Sequence, residues 1–461
     1  MERDAAHVPF VTSGAYPIRA GNEVVPLVDG EPAFRRICEC VETARHSVWV
    51  TVAFLERGVR MPDGRGSFFD VLDRAKARGL DVRVIFWRCP ELEEVSPGEH
   101  FPGTAEERAW LAERGSTFLA RWDRAARLYC QHQKSWLVDA GHATEIAFVG
   151  GINLNQGSIV PVGHPRRQGG GGTHDVYVEI RGPSATDVHH NFVQRWNEAS
   201  ERDREDGLWP DARSQTQLAF PAAASSAAGD VPVQIQRTVR RGLYRDPTPT
   251  PGGEPFEIEH GDPSIAEQYL RALDAAERTI YVEDQALGSP EFVEGLHRAL
   301  GRGVDVVFLI PVEPNEGMTR GRRDPASAAF FDRLGELGGH DHFALVGIAS
   351  HHGDGRHAPV YVHAKIALID DAWATIGSTN IANRSFYGDT ELNASIWHGP
   401  TVRALREALL LEHIGRDTSG LDDRAALRLY REVARENTRR RDRGEAQDGL
   451  AFALDPARYA L

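Results

Sequence analysis

Two short constellations in this chain combine residue types that can do chemistry: His132 and Lys134, followed by Asp139 and Gly150-Gly151-Ile152-Asn153, and His363 and Lys365, followed by Asp370 and Gly377-Ser378-Thr379-Asn380. On an extended segment side chains alternate, so the His and Lys of each pair share a face. Each face then offers an imidazole that can attack or pass a proton, and an ammonium that can hold an anion. The asparagines add amide donors without adding charge. Brought together, the copies form a phosphate-binding set with a nucleophile and an acid. Phosphodiester cleavage needs just that: attack at phosphorus, charge stabilisation on the non-bridging oxygens, and a proton for the leaving alcohol. One neutral imidazole would attack to give a phosphohistidine while the other protonates the departing oxygen. Lys134, Lys365, Asn153 and Asn380 would hold the phosphoryl oxygens. The lysines neutralise the charge, so neither a metal nor a cofactor is expected.

Equivalent elements must carry the two copies. Glu31–Ala44 reads as a helix, Ser47–Leu55 as a strand, Gly66–Arg78 as a helix and Asp81–Trp87 as a strand; Ser264–Glu277, Thr279–Leu287, Pro290–Arg302 and Asp305–Pro311 repeat the series. Ala44–Val50 aligns with Ala276–Val282 at nearly the offset that relates His132 to His363. The expectation is a duplicated α/β lobe, two β-sheets flanked by helices around a pseudo-twofold axis. The boundaries expected are an N-terminal extension over residues 1–30, lobes over 31–197 and 232–415, a connection over 198–231, and a C-terminal helical segment over 416–461.

The spacing HxK(x)4D in both halves, running on as D(x)6GSxN in the second, resembles the phospholipase D superfamily signature. The first copy departs from it: ten residues separate Asp139 from Gly150, and Gly150-Gly151 replaces Gly-Ser. A longer hairpin would absorb the difference. The likeness extends to His174-Asp175-Val176, Arg181-Gly182-Pro183, Phe192-x-x-Arg195-Trp196-Asn197 and Asp389-Thr390-Glu391-Leu392-Asn393, which look like bacterial phospholipase D and cardiolipin synthase-like enzymes. The resemblance implies that His132 is the nucleophile and His363 the acid and base, and that Asp175 and Glu391 fix the imidazole tautomers. Asp139, Asp370, Gly150, Gly151, Gly377 and Ser378 are read as structural parts of the motifs. Glu283-x-Gln285 lies where the family has Glu-x-Gln-Tyr, with Ala286 replacing the aromatic residue. The leading expectation is a phosphodiester hydrolase and transphosphatidylase acting on glycerophospholipids, with water or an alcohol as acceptor. A cardiolipin synthase-like phosphatidyltransferase, a nuclease of the superfamily and a silent membrane-surface binding module are the alternatives.

Composition narrows these. A formal net charge of −14 lacks the basic footprint of a nucleic-acid binder. The longest apolar runs, Val48–Leu55 and Val306–Val312, are far too short to cross a bilayer, and no signal-peptide stretch follows Met1. A cytoplasmic protein, peripheral at the inner membrane face if it meets a membrane surface, is expected. Cys38, Cys40, Cys89 and Cys130 lack zinc-site or disulfide spacing and read as free thiols. The histidines at 189, 190, 351, 352 and 357 read as scattered surface residues. The glycine-rich Pro161–Thr173 reads as a flexible loop or a rim of the site, and Asp423–Arg441 as an amphipathic helix packed on the second lobe.

Overall fold

The structure is a computed structural model that describes residues 7–89, 91, 98–165, 171–211, 216–351 and 357–461. The first lobe contains β1 (Arg19–Val28), β2 (Ser47–Val52), β3 (Asp81–Trp87), β4 (Leu119–Asp123), β5 (Ser135–Val138), β6 (Ile146–Gly150), β7 (Val176–Arg181) and β8 (Leu208–Trp209). The second contains β9 (Val231–Val239), β10 (Thr279–Glu283), β11 (Asp305–Leu309), β12 (Phe343–His351), β13 (Ile366–Ile369), β14 (Trp373–Gly377), β15 (Glu391–Ile396) and β16 (Ala451–Leu454).

In the first lobe the strands lie in the order β8, β4, β3, β2, β5, β6, β7, β1, with β4, β3 and β2 parallel and the remaining neighbours antiparallel. The second lobe repeats this strand for strand as β16, β12, β11, β10, β13, β14, β15, β9. Strands β1 and β9 then pair antiparallel, Arg19 opposite Val233 and Asn22 opposite Val231, which joins the two sheets. The duplicated α/β fold read from the repeat is therefore present. Two boundaries differ from expectation. Residues 19–28 are an integral strand and not part of an extension, and the C-terminal segment adds β16 beyond its helix.

Local sequence explains the elements. The helix Phe68–Ala77 starts at a capping box in which Ser67 accepts from the Asp70 N–H and Asp70 accepts from that of Ser67; it turns its Phe68, Phe69, Val71, Leu72 and Ala75 face into the first lobe's core. Strand β11 is buried along its whole length, as its unbroken apolar run demands. Between the sheets Val178, Ile180, Val233, Ile235, Ala394 and Ile396 share one core, and truncating one of its isoleucines to alanine costs about 2–5 kcal/mol.

The helix Ala185–Glu198 is wedged into that shared core and is buried from Ala185 through Trp196. Reading His189 and His190 as surface histidines is therefore corrected. His189 Nδ1 lies 3.0 Å from a Glu145 oxygen, and His190 sits between the Tyr16 hydroxyl at 3.2 Å and the Thr248 carbonyl at 2.8 Å. An amphipathic stripe gives no warning when a helix is covered on all sides. Residue 352 and the middle of the 161–173 loop lie outside the described residues. The helix Asp423–Asp442 packs through Ala426, Leu427, Tyr430 and Ala434 on the second lobe, and the four cysteines form no disulfide among the described residues.

Candidate active site

Each HxK motif sits in the extended lead into a strand, β5 or β13, not within the strand itself. The motif aspartates hold the hairpin that follows. Asp139 Oδ1 accepts the backbone N–H groups of Arg45, His46 and Ser47, and Asp370 accepts those of Glu277, Arg278 and Thr279, the equivalent residues of the second lobe. Each aspartate thus ties its hairpin to the start of β2 or β10 and leaves the histidine to other partners.

Those partners come from the opposite lobe. His132 Nδ1 lies 3.0 and 2.9 Å from the two oxygens of Glu391, and His363 Nδ1 lies 2.6 Å from Asp175 Oδ2. An ionised carboxylate only accepts, so Nδ1 of each ring carries the proton and Nε2 keeps its lone pair. Backbone pairing enforces the exchange. The His132 N–H donates to Thr390 O at 2.9 Å and the Thr390 N–H to Cys130 O at 2.9 Å, while the His363 N–H donates to His174 O at 2.8 Å. Both imidazoles line one cleft of about 810 Å³, together with Asn153, Asn380, Phe54, Trp87, Tyr361 and Arg384 among others.

The lysines lie just beneath that wall. Lys134 Nζ donates to the His132 carbonyl at 2.9 Å and Lys365 Nζ to that of His363; both are buried. Asn153 Nδ2 lies 3.5 Å from His363 Nε2, while the buried Oδ1 atoms of Asn153 and Asn380 have no hydrogen-bond partner among the described residues. Burial together with the ammoniums of Lys134 and Lys365 and the Arg384 guanidinium holds the His132 imidazole well below its ordinary range. Burial and Lys365 hold His363 down at about 3, against the opposing pull of Asp175. Burial lowers Lys134 to about 8 and raises Glu391 to about 7. The free site thus holds two neutral imidazoles, with the Lys134 and Lys365 ammoniums set against the Asp175 and Glu391 carboxylates. An anionic phosphate between them would raise the affinity of either ring for a proton.

The glycines explain the unequal motifs. A side chain on Gly151 would run into the Asp175 carboxylate, whereas at the matching place Ser378 donates through Oγ to Glu391 Oε2 at 2.6 Å. The shorter Asp pairs with glycine, the longer Glu with serine. Gly150 and Gly377 are equally crowded, by the Val176 carbonyl and by Asn393. Sequence reading treated Ser378 as a structural part of its motif, quoted Asp389 only within the resemblance and gave no role to it or to Arg384; both stand in the cleft wall with Arg384 Nε 3.0 Å from Asp389 Oδ2. Their signal was only proximity to Glu391. Gln285 also reaches the cleft and accepts from the Tyr361 hydroxyl at 3.3 Å; Glu283 turns inward to His174.

A duplicated lobe with two His-Lys-Asn half-sites meeting in one cleft defines an enzyme of phosphodiester chemistry, and the chain belongs to the phospholipase D superfamily. A family model described as phospholipase D matches residues 166–313, and one described as cardiolipin synthase, PLD-like domain, matches residues 269–410. The chain is similar to a cardiolipin synthase of Listeria welshimeri, 24% identical over 420 residues that cover 88% of this chain and 72% of the relative. It is also similar to a cardiolipin synthase A of Pseudomonas entomophila, 26% identical over 387 residues covering 81% and 64%. Among solved structures, the phosphatidylserine synthase of Haemophilus influenzae Rd KW20 shares the fold with a TM-score of 0.56 and 11% identity, covering 94% of this chain and 97% of that one.

Proposed function

We propose that the protein is a phosphatidyltransferase that joins a phosphatidyl group to an alcohol acceptor in the manner of a cardiolipin synthase. The observation that carries the proposal is the reciprocal pairing of His132 with Glu391 and His363 with Asp175 on a shared cleft. The His132 Nε2 lone pair attacks phosphorus, and the bond from phosphorus to the leaving alcohol breaks. His363, protonated in the complex, gives its Nε2 proton to that oxygen. In the second half His363 removes the proton of the incoming hydroxyl, whose oxygen takes the phosphatidyl group and frees His132. Lys134, Lys365 and the two asparagine amides counter the phosphoryl charge throughout.

Relatives named cardiolipin synthases support an alcohol acceptor, so transfer takes precedence over the hydrolysis expected first from the sequence. The cleft volume suits headgroups and glycerol backbones and leaves acyl chains outside. Among the described residues no helix is long and apolar enough to cross a membrane. Purified protein incubated with phosphatidylglycerol vesicles should release glycerol and form cardiolipin, and an added primary alcohol should divert product to the phosphatidylalcohol. Phosphatidic acid as the sole product would return the reading to hydrolysis. Cleavage of single- or double-stranded DNA without lipid turnover would make the protein a nuclease.

A further inference from the structure

His174, the residue before Asp175, is fully buried with carboxylates against both ring nitrogens. Nδ1 lies 2.9 Å from Asp29 Oδ1 and Nε2 lies 2.8 Å from Glu283 Oε2. Two more groups converge beside Asp29. His164 Nε2 lies 3.4 Å from Asp29 Oδ1 and 3.5 Å from Glu412 Oε1, and His174 Nδ1 lies 3.9 Å from Glu412 Oε2. One ligand atom from each of Asp29, His164, His174 and Glu412 lies within 4.8 Å of all the others, and none of the four side chains is more than 1% exposed.

The protein's own hydrogen bonds do not satisfy this cluster. Asp29 Oδ2, His164 Nε2 and Glu412 Oε2 are buried and have no hydrogen-bond partner among the described residues. His164 Nδ1 lies 3.0 Å from the Gly171 carbonyl, which can only accept, so in the neutral ring Nδ1 holds the proton and Nε2 aims a lone pair at two carboxylates. That arrangement is repulsive, and no Lys or Arg among the described residues forms an ion pair with Asp29 or Glu412. Asp29 also stands at the N-cap of the helix Gly30–Thr43 without capping it; its carboxylate turns to the histidines instead.

We propose that Asp29, His164, His174 and Glu412 form a buried site for one divalent transition-metal ion, zinc by its donor set. Two imidazole nitrogens and two carboxylate oxygens suit a closed tetrahedral zinc site, in which bonds of about 2.0–2.1 Å place ligand atoms ~3.3 Å apart. The separations about Asp29 Oδ1, 2.9 and 3.4 Å, and the 3.5 Å from His164 Nε2 to Glu412 Oε1 bracket that spacing, while His174 Nδ1 lies 3.9 Å from the other Glu412 oxygen, so either oxygen is within reach of the ion. With the ion bound, His174 ligates through Nδ1 and donates its Nε2 proton to Glu283, which also accepts from the Tyr281 hydroxyl at 2.6 Å. A carboxylate behind a ligating imidazole is a recurrent means of fixing its tautomer. The ion clasps the lobes, because Glu412 comes from the second and the other three ligands from the first. It also steadies the backbone that positions both Asp175 and His363, through the His363 N–H bond to His174 O. The reaction itself stays with the cleft residues.

The test uses the untagged full-length chain from zinc-supplemented cells, dialysed against metal-free buffer. Elemental analysis and native mass spectrometry should find about one zinc per chain. His164→Ala and Glu412→Gln, checked by circular dichroism, should lose the ion and melt at lower temperature, whereas His132→Ala should keep it. Protein from cobalt-supplemented cells should show the intense visible absorption of four-coordinate Co²⁺. Should the variants not fold, anomalous scattering at the zinc edge from wild-type crystals locates the ion directly. A folded, metal-free wild-type chain whose Tm does not respond to added Zn²⁺ would mean that protons alone satisfy the cluster and would overturn the proposal. So would full retention of the ion by both folded variants.

Discussion

His363 belongs to the second lobe but takes its orientation from Asp175 of the first, with Nδ1 and Oδ2 2.6 Å apart, and Glu391 of the second lobe does the same for His132. Neither lobe completes a half-site alone. A carboxylate-to-amide change at either position leaves the packing nearly unchanged and replaces a charged acceptor with a neutral, weaker one. Asp175→Asn and Glu391→Gln should each lower kcat on the order of 10²-fold or more, with KM altered far less. Unchanged turnover in both would reduce these carboxylates to structural groups.

The two histidines should separate kinetically. His132→Ala should form no phosphoenzyme. His363→Ala, given a p-nitrophenyl phosphodiester whose leaving group needs no proton, should still form one and hydrolyse it slowly. Rapid quench and mass spectrometry that trap the phosphoryl group on residue 363 would reverse the roles and leave the overall chemistry standing.

The pH profile follows from the burial of Glu391 and Lys134. Glu391 must be ionised to accept the His132 Nδ1 proton, and burial, opposed by Lys134, sets its pKa at about 7. In the proposed reaction Lys134 must stay protonated to counter the phosphoryl charge, and burial sets it at about 8. In the free enzyme kcat/KM should rise with pH through the first value and fall through the second. Glu391→Gln should abolish the acidic limb and keep the basic one, as steady-state assays across pH 5 to 10 would reveal.

Converting the first motif to the second's spelling should damage it. In Gly151→Ser the new Cβ meets the Asp175 carboxylate and must displace it from His363. A loss in kcat of about 10²-fold is expected, since misplacing a catalytic group by ~1 Å costs that much. Ser378→Gly, which deletes only one hydrogen bond to Glu391, should cost less. Equal effects of the two changes would contradict the crowding argument.

The motif aspartates should matter for stability before rate. Asp139→Ala and Asp370→Ala each strand three backbone donors, and at ~1–3 kcal/mol per unsatisfied buried group the expected loss is about 2–4 kcal/mol after water reaches some of them. Denaturant unfolding should register this, with residual kcat near wild type for the protein that stays folded.

The sequence carried the repeated lobe and its paired His, Lys and Asn because duplicated spacing survives in one dimension. Which carboxylate meets which histidine did not, since Asp175 and Glu391 cross between lobes through backbone pairing that no local pattern encodes. Strand β1 was hidden by Pro26, which breaks a strand signal. It is tolerated because residues 23–28 have a neighbour on one side only. The burial of His189 and His190 depended on a helix that packs on the first lobe's sheet and is covered by the distant segments carrying Tyr16 and Thr248. Asp29, His164, His174 and Glu412 come from four separate segments, so no motif could announce them.

The antiparallel seam between β1 and β9 has a consequence for ancestry. An antiparallel pair about a twofold is self-complementary, so a single-lobe chain could join a second copy of itself edge to edge as an isologous dimer, each copy lending its carboxylate to the other's histidine. Fusion of two such genes would preserve the dimer's symmetry inside one polypeptide. It would also free the halves to drift apart, and Asp175 with Gly151 against Glu391 with Ser378 records that divergence.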